Sequence, residues 1–157
     1  MILILGEVAG VTVESLLARS EGKRGPVASI DSLGELREND KLHLVAPFAD
    51  GAVAGYDAVA LVELLTRPFA GGLPRLKQIH LISPFTGRGG ETSFAAQLDA
   101  ALQRRSWEVD EIKAPIGDVR SESEGKIWVR PEGGNWTPSS PALNYYAGPR
   151  VAEKHRA

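Results

Sequence analysis

The sequence predicts an α/β fold: a three-layer α/β/α sandwich with a mostly parallel sheet and a C-terminal β-hairpin. Three observations predict it. One unit is written twice, because Leu42-His43-Leu44-Val45-Ala46-Pro47-Phe48 returns 37 positions later as Ile79-His80-Leu81-Ile82-Ser83-Pro84-Phe85. The same offset aligns Leu61 with Leu98 and Leu65 with Leu102. Each copy reads as a buried strand, a Pro-Phe corner, a glycine-containing loop and an amphipathic helix. Two such units in succession predict neighbouring parallel strands joined by a right-handed crossover. Strand-like and helix-like runs alternate along the chain, the pattern of a sheet with helices on its faces. After residue 117 the pattern changes to two short strands separated by Glu124-Gly125, which signals a hairpin.

Taken in order, Ile2 to Leu5 is a continuous apolar run, as expected of a strand covered on both faces. Thr12 is positioned to cap a helix through Arg19, with Val13, Leu16 and Leu17 on one face. A polar connection leads to a second strand at Val27 to Ile30. The segment from Asp31 to Asp40 is polar, with helical character around Leu33 and Leu36. Leu42 to Val45 is a third strand, followed by a loop from Pro47 to Gly55. Ala58, Leu61, Val62 and Leu65 recur at the helical period between Asp57 and Arg67, and Pro68 stops that helix. Gln78 to Ile82 is a fourth strand. Thr92 or Ser93 caps a helix whose face is Phe94, Leu98, Ala101 and Leu102. Alternation from Trp107 to Ile112 predicts a fifth strand. Val119 to Ser121 and Ile127 to Arg130 form the hairpin. The stretch from Pro131 to Pro141 is rich in Gly, Pro, Asn and Ser and should be irregular. One domain spans residues 1–145, and residues 146–157 read as a loose tail.

Composition excludes several function classes. The 157 residues are 43% hydrophobic with a formal charge of −2, so nothing global favours nucleic acid or an anionic membrane. No apolar run approaches the roughly 20 residues that a membrane helix needs. Met1 leads directly into a strand-like run with no cleavable signal, so the expected location is the cytoplasm, or that of a translocated effector. Cysteine is absent, which excludes disulfides, thiolate metal sites and a cysteine nucleophile.

In parallel sheets, ligands and chemistry sit at the carboxyl ends of the strands, so both Pro-Phe corners are candidate sites. His43 and His80 lie inside strands and are expected to be structural. With His155 in the tail, they form no spaced metal-ligand set. Ser83 is the only hydroxyl at the end of a core strand. It lacks a G-x-S-x-G elbow, and Pro84 has no N–H to offer an oxyanion, so a small corner residue is the simpler reading. Gly87-Arg88-Gly89-Gly90 before a helix is similar to a phosphate loop but lacks the Lys-Ser/Thr of a Walker motif. Asp50, Asp57, Glu91 and Asp99 flank the corners, where capping and solvation explain them. Arg75, Lys77, Arg88, Arg104, Arg105, Lys126 and Arg130 are the basic residues of the second half and a candidate polyanion surface.

From Lys41 onward the order of features resembles the autoprocessing cysteine peptidase domains of large bacterial toxins. That family has a caspase-like fold. Its strand ending in Val-Gly-His-Gly corresponds to Leu44-Val45-Ala46-Pro47-Phe48, and its "aGy" loop to Ala54-Gly55-Tyr56. Its strand ending in Val-Gly-Cys corresponds to Leu81-Ile82-Ser83-Pro84, and its Phe-Ala helix start to Ser93-Phe94-Ala95. A Gly-Lys pair in its β-flap corresponds to Gly125-Lys126-Ile127-Trp128. The resemblance covers about two-thirds of the chain. Pro47 stands in place of the family's His and Pro84 in place of its Cys.

The resemblance therefore implies a caspase-like fold without the peptidase dyad, a pseudopeptidase that acts by binding a protein partner in an effector or toxin system. Phe48, Phe85, Asp50 and Arg88 are the expected binding surface. The sequence itself calls for no cofactor. The family's activator, inositol hexakisphosphate, implies a polyanion site at Lys126 and Arg130, with Arg104 and Arg105 as further basic candidates. Two other readings remain open: a small hydrolase using Ser83, and a polyanion-binding domain.

Overall fold

The two copies of the repeated unit lie side by side. Strand β2 (Lys41–Val45) pairs in parallel with β5 (Gln78–Ile82), and the repeat offset is also the register. Leu42 stands opposite Ile79, His43 opposite His80 and Val45 opposite Ile82. The structure is a computed structural model describing residues 1–12, 14–16, 30–122 and 125–149. Strand β1 (Ile2–Ile4) continues the sheet in parallel beyond β2, and β6 (Ile112–Pro115) continues it in parallel beyond β5. Strand β10 (Asn144–Ala147) closes the far edge antiparallel to β6. The order is β1-β2-β5-β6-β10, so the chain is mixed α/β around a mostly parallel central sheet with few helices. Among the described residues the strands follow one another across the sheet in chain order.

Two helices follow from the repeat. Helix α1 (Ala58–Thr66) starts where the Asp57 carboxylate accepts the Ala60 N–H at 2.8 Å. Helix α2 (Phe94–Arg104) starts where Ser93 Oγ accepts the Ala96 N–H at 3.2 Å. Each cap satisfies an N–H that has no partner inside the helix. Leu61, Val62 and Leu65 of α1, with Phe94, Leu98 and Leu102 of α2, bury the helices against one face of the sheet. That face presents Leu42, Leu44, Ile79, Leu81, Ile112 and Ala114. Burying a leucine or isoleucine of this kind stabilises the fold by about 1.5–3 kcal/mol.

Strand alternation sends Ile2, Val45 and Ile82 to the opposite face. There they pack on Val8, Leu16 and a small antiparallel sheet. That sheet comprises β7 (Asp118–Ser121), β8 (Ile127–Arg130) and β9 (Thr137–Pro138). Val119, Ile127 and Val129 form its inner surface.

The strands at 42–45 and 78–82, both capped helices and the hairpin agree with the sequence reading. Other expectations need correction. The fifth strand is Ile112–Pro115, not 107–112. Trp107 is drawn inward instead, with its indole N–H donating to the Pro74 carbonyl at 2.7 Å, and Val109 makes only an isolated bridge to Leu76. The loop after Pro47 contains a two-stranded ribbon, β3 (Phe48–Ala49) and β4 (Ala52–Val53). Asp50 and Gly51 turn it, with φ of 53° and 75°. Two left-handed residues in succession are what a tight hairpin of this length requires.

Asp31–Glu35 is a 3-10 helix. The stretch 131–141 is not wholly irregular, because Thr137–Pro138 joins β8. Tyr146 and Ala147, placed in the tail by sequence, belong to β10. Of the helix expected at 12–19, residues 14–16 are helical, and Val13 and 17–19 lie outside the described residues. Residues 27–29 of the expected second strand, and 150–157 with His155, also lie outside them.

Close backbone approaches generate a stability prediction. A Cβ on Gly87 would lie 2.3 Å from the Ala114 carbonyl oxygen, whereas one on Gly71 would meet nothing within 4 Å. Gly87→Ala should destabilise by about 2 kcal/mol or more, because backbone must move apart. Gly71→Ala should stay within about 0.5 kcal/mol of the parent. Urea denaturation measures both, and equal stability of the two variants would refute the close packing of this corner on β6.

Candidate functional site

The candidate site lies just beyond the carboxyl ends of β2 and β5. The first corner runs from Ala46 into β3, and the Ala54 N–H closes it by donating to the Pro47 carbonyl at 2.8 Å. The second corner is tied more heavily. Phe85 N–H donates to the Gly117 carbonyl at 2.9 Å, and Gly87 N–H to the Pro115 carbonyl at 2.8 Å. Thr86 Oγ1 donates back to the Ser83 carbonyl at 2.9 Å, and the Thr86 carbonyl accepts the Ala95 N–H at 3.0 Å. These bonds hold Phe85 at φ 62°, a left-handed conformation that a bulky residue rarely adopts.

Phe48 and Phe85 line one open groove of about 400 Å³, together with Phe94, Arg88, Ser93 and Gln97. Both corner phenylalanines are half-buried. Phe48 meets the edge of Phe94, with ring centroids 5.7 Å apart. The Arg88 guanidinium stands over the Phe85 ring, 5.6 Å from its centroid. Its other partner is Glu132 at 2.6 Å, in an ion pair where the side chains are 58% and 70% exposed. Phe85 also walls a second hollow of about 430 Å³, lined by Asp118, Arg130, Glu132 and the neighbouring glycines. Of the expected binding surface, Phe48, Phe85 and Arg88 thus share one groove. Asp50 sits exposed at the tip of the β3–β4 turn, beside the groove residue Gly51.

The groups with catalytic potential are arranged otherwise. Ser83 is fully buried, and its Oγ has no hydrogen-bond partner among the described residues. No base is therefore within hydrogen-bond reach of it there, and a serine nucleophile needs one. His80 is buried and His43 half-buried, with rings edge-to-face at 5.5 Å between centroids, inside the strands. Pro47 is exposed and Pro84 half-buried at their corners. Asp57 caps α1, and Asp99 accepts from Gln103 on α2 at 2.9 Å, so both have structural work. Tyr145 of β10 packs near Gly87 and Gly90 under the loop. Burial, helped by the negative charge of Glu91 and Asp99, pushes its phenol above the usual value, so it stays protonated at neutral pH. Among the described residues no group of His, Asp or Glu is placed to hold a metal ion, and no helix is long and apolar enough to cross a membrane.

The basic residues separate into two sets. Arg104 and Arg105 end α2 and line a groove of about 210 Å³ against Val59 and Val62 of α1. Arg105 pairs there with Glu63 at 3.0 Å. Arg130 lies on β8 and Lys126 directly before that strand, across the central sheet from those helices. They take part in a run of alternating cations and indoles. Lys126 lies 5.3 Å from the Trp128 ring, Arg120 lies 5.6 Å from Trp128 and 4.7 Å from Trp136, and Arg130 lies 5.0 Å from Trp136. Asp118 pairs with Arg130 at 3.6 Å and Glu122 with Arg120 at 3.4 Å.

Sequence reading missed Phe94 as groove floor, and Arg120, Trp128 and Trp136 as one cluster. The first looks like an ordinary core position on a helix. The second had a signal, since Arg120 on β7 and Trp128 with Arg130 on β8 alternate with the buried valines of the hairpin.

A prediction follows from Ser83. A buried hydroxyl without a partner carries a desolvation penalty that alanine removes. Ser83→Ala should therefore leave stability unchanged or raise it by up to about 1 kcal/mol. A clear loss in urea denaturation would mean that the hydroxyl has a partner and would reopen a chemical role for it. The sequence matches no protein-family model, and no curated protein matches it.

Proposed function

We propose that this chain is a caspase-like, three-layer α/β domain without peptidase chemistry, related to the toxin autoprocessing domains, that binds a protein partner at its paired corners. The observation that carries the reading is the Phe48–Phe85–Phe94 groove with Arg88 at its rim. It lies where parallel sheets place their ligands. It combines half-exposed aromatic surface with a positioned polar group, the composition of a recognition site. Peptidase chemistry of the caspase type has no material here. The chain has no cysteine, and prolines replace both members of the dyad. Such a domain serves in a bacterial effector or toxin system, in the cytoplasm or after translocation.

Two experiments test this. Peptide display against the immobilised protein should enrich a sequence class, and Phe85→Ala should weaken its binding about tenfold or more, the usual loss for an aromatic anchor. Val59→Ala, on the exposed helical side, should not change it. Failure of the parent to enrich any class, or indifference to Phe85→Ala, would defeat the reading. Incubation with a peptide library and with itself, with or without inositol hexakisphosphate, should give no specific cleavage by mass spectrometry. Cleavage that disappears in Ser83→Ala would favour the hydrolase reading instead.

One further observation favours a second reading, polyanion binding. Lys126, Arg120 and Arg130 are held on one surface by the two indoles, which lowers the entropy lost on binding. On this reading inositol hexakisphosphate raises the melting temperature by mass action, and Lys126→Gln reduces the shift. No shift at millimolar ligand would return these residues to structural and surface roles.

A further inference from the structure

The groove has a charge pattern that narrows its partner, and the inference drawn here rests on the proposed binding role. Its lining contains three phenylalanines and several small or neutral polar residues, but a single charged side chain, Arg88. That guanidinium stands over the Phe85 ring and reaches Glu132 on the loop after β8. Both partners of this pair are well exposed, and exposed pairs of this kind are weak. Glu132 therefore acts as a carboxylate resident beside an aromatic floor, and an incoming carboxylate can exchange with it. Asp50 and Glu91 are exposed next to lining residues without lining the groove themselves. They oppose a partner of high negative charge, so the site suits one carboxylate rather than a polyanion.

We propose that the groove takes a partner-protein segment in which an aromatic or large aliphatic residue neighbours an acidic one. The apolar side chain enters between Phe48 and Phe85, and the carboxylate takes Arg88 from Glu132. Glu132 is then an internal competitor for the site. This assigns opposite effects to the two members of one ion pair. Removing Arg88 abolishes the preference for a charged ligand, and removing Glu132 strengthens it. A purely structural ion pair predicts the same effect from either change.

The test uses two probes with one ring and different charge, N-acetyl-phenylalanine as its carboxylate and N-acetyl-phenylalaninamide. Each is titrated into the full chain while backbone amide resonances are followed by NMR. Both should move the resonances of Phe85, Arg88 and Gln97, and the carboxylate should bind roughly fivefold more tightly than the amide. Glu132→Gln should tighten the carboxylate about twofold or more and leave the amide unchanged. Arg88→Gln should make the two probes equal. Both substituted side chains are exposed, so both variants are expected to fold. Equal binding of the two probes by the parent protein, with shifts in the groove, overturns the acidic preference while leaving the groove as a binding site. Glu132→Gln without effect on the carboxylate overturns the competitor role and the inference with it. Absence of groove shifts with either probe at about 20 mM overturns both this inference and the binding role beneath it.

Discussion

The parallel pairing of β2 with β5 is the constraint on which the rest depends. Its register sets equivalent residues of the two repeats opposite each other, from Lys41 and Gln78 to Val45 and Ile82. Because the chain leaves both strands at the same level, the Pro-Phe corners emerge together. Because both connections then return through helices on one face, α1 and α2 pack against each other as well as on the sheet. A slip of one residue would turn Leu42, Leu44, Ile79 and Leu81 away from the helices, so burial itself enforces the register.

The second corner shows how a strained turn is held in place. Phe85 in a left-handed conformation costs about 1–3 kcal/mol and persists only where its surroundings over-determine it. Here the surroundings are the hydrogen bonds from Phe85 and Gly87 to the loop and strand at 115–117, and from Ala95 to Thr86. Gly87 allows the corner to approach β6, since a Cβ there would collide with the Ala114 carbonyl oxygen, and Gly117 lets its own loop lie against the end of β8, where a Cβ would collide with the Arg130 carbonyl oxygen. The Phe85 ring lines two hollows and has the Arg88 guanidinium over it.

The small β7–β9 sheet has a different internal logic. Its inner face is apolar and anchored on Val45 and Ile82, the last residues of the paired strands. On its other side three cations and two indoles lie within cation–π distance of one another. Each such contact contributes about 0.5–1 kcal/mol at an exposed site, enough in sum to stiffen a short sheet. The loop that follows β8 brings Glu132 to Arg88, so the small sheet also shapes one side of the groove.

Local pattern and repetition alone determined much of this protein. The helical period from Ala58 to Leu65, the caps at Asp57 and Ser93, and the adjacency of two strands could be read from sequence. Each depends on neighbours in the chain or on a copy of the same unit. The two phenylalanines were legible as neighbours because they sit at matched strand ends, and Arg88 follows the second of them by three residues. Only the tertiary structure decided that Phe94 floors the groove, that Glu132 reaches Arg88, and that Tyr146 and Ala147 close the sheet. It also separated Arg104 and Arg105 from Lys126 and Arg130 by the thickness of the central sheet. These outcomes join residues far apart in the chain, and no spacing along the sequence encodes them, because they arise from which faces must be buried once the strands have paired.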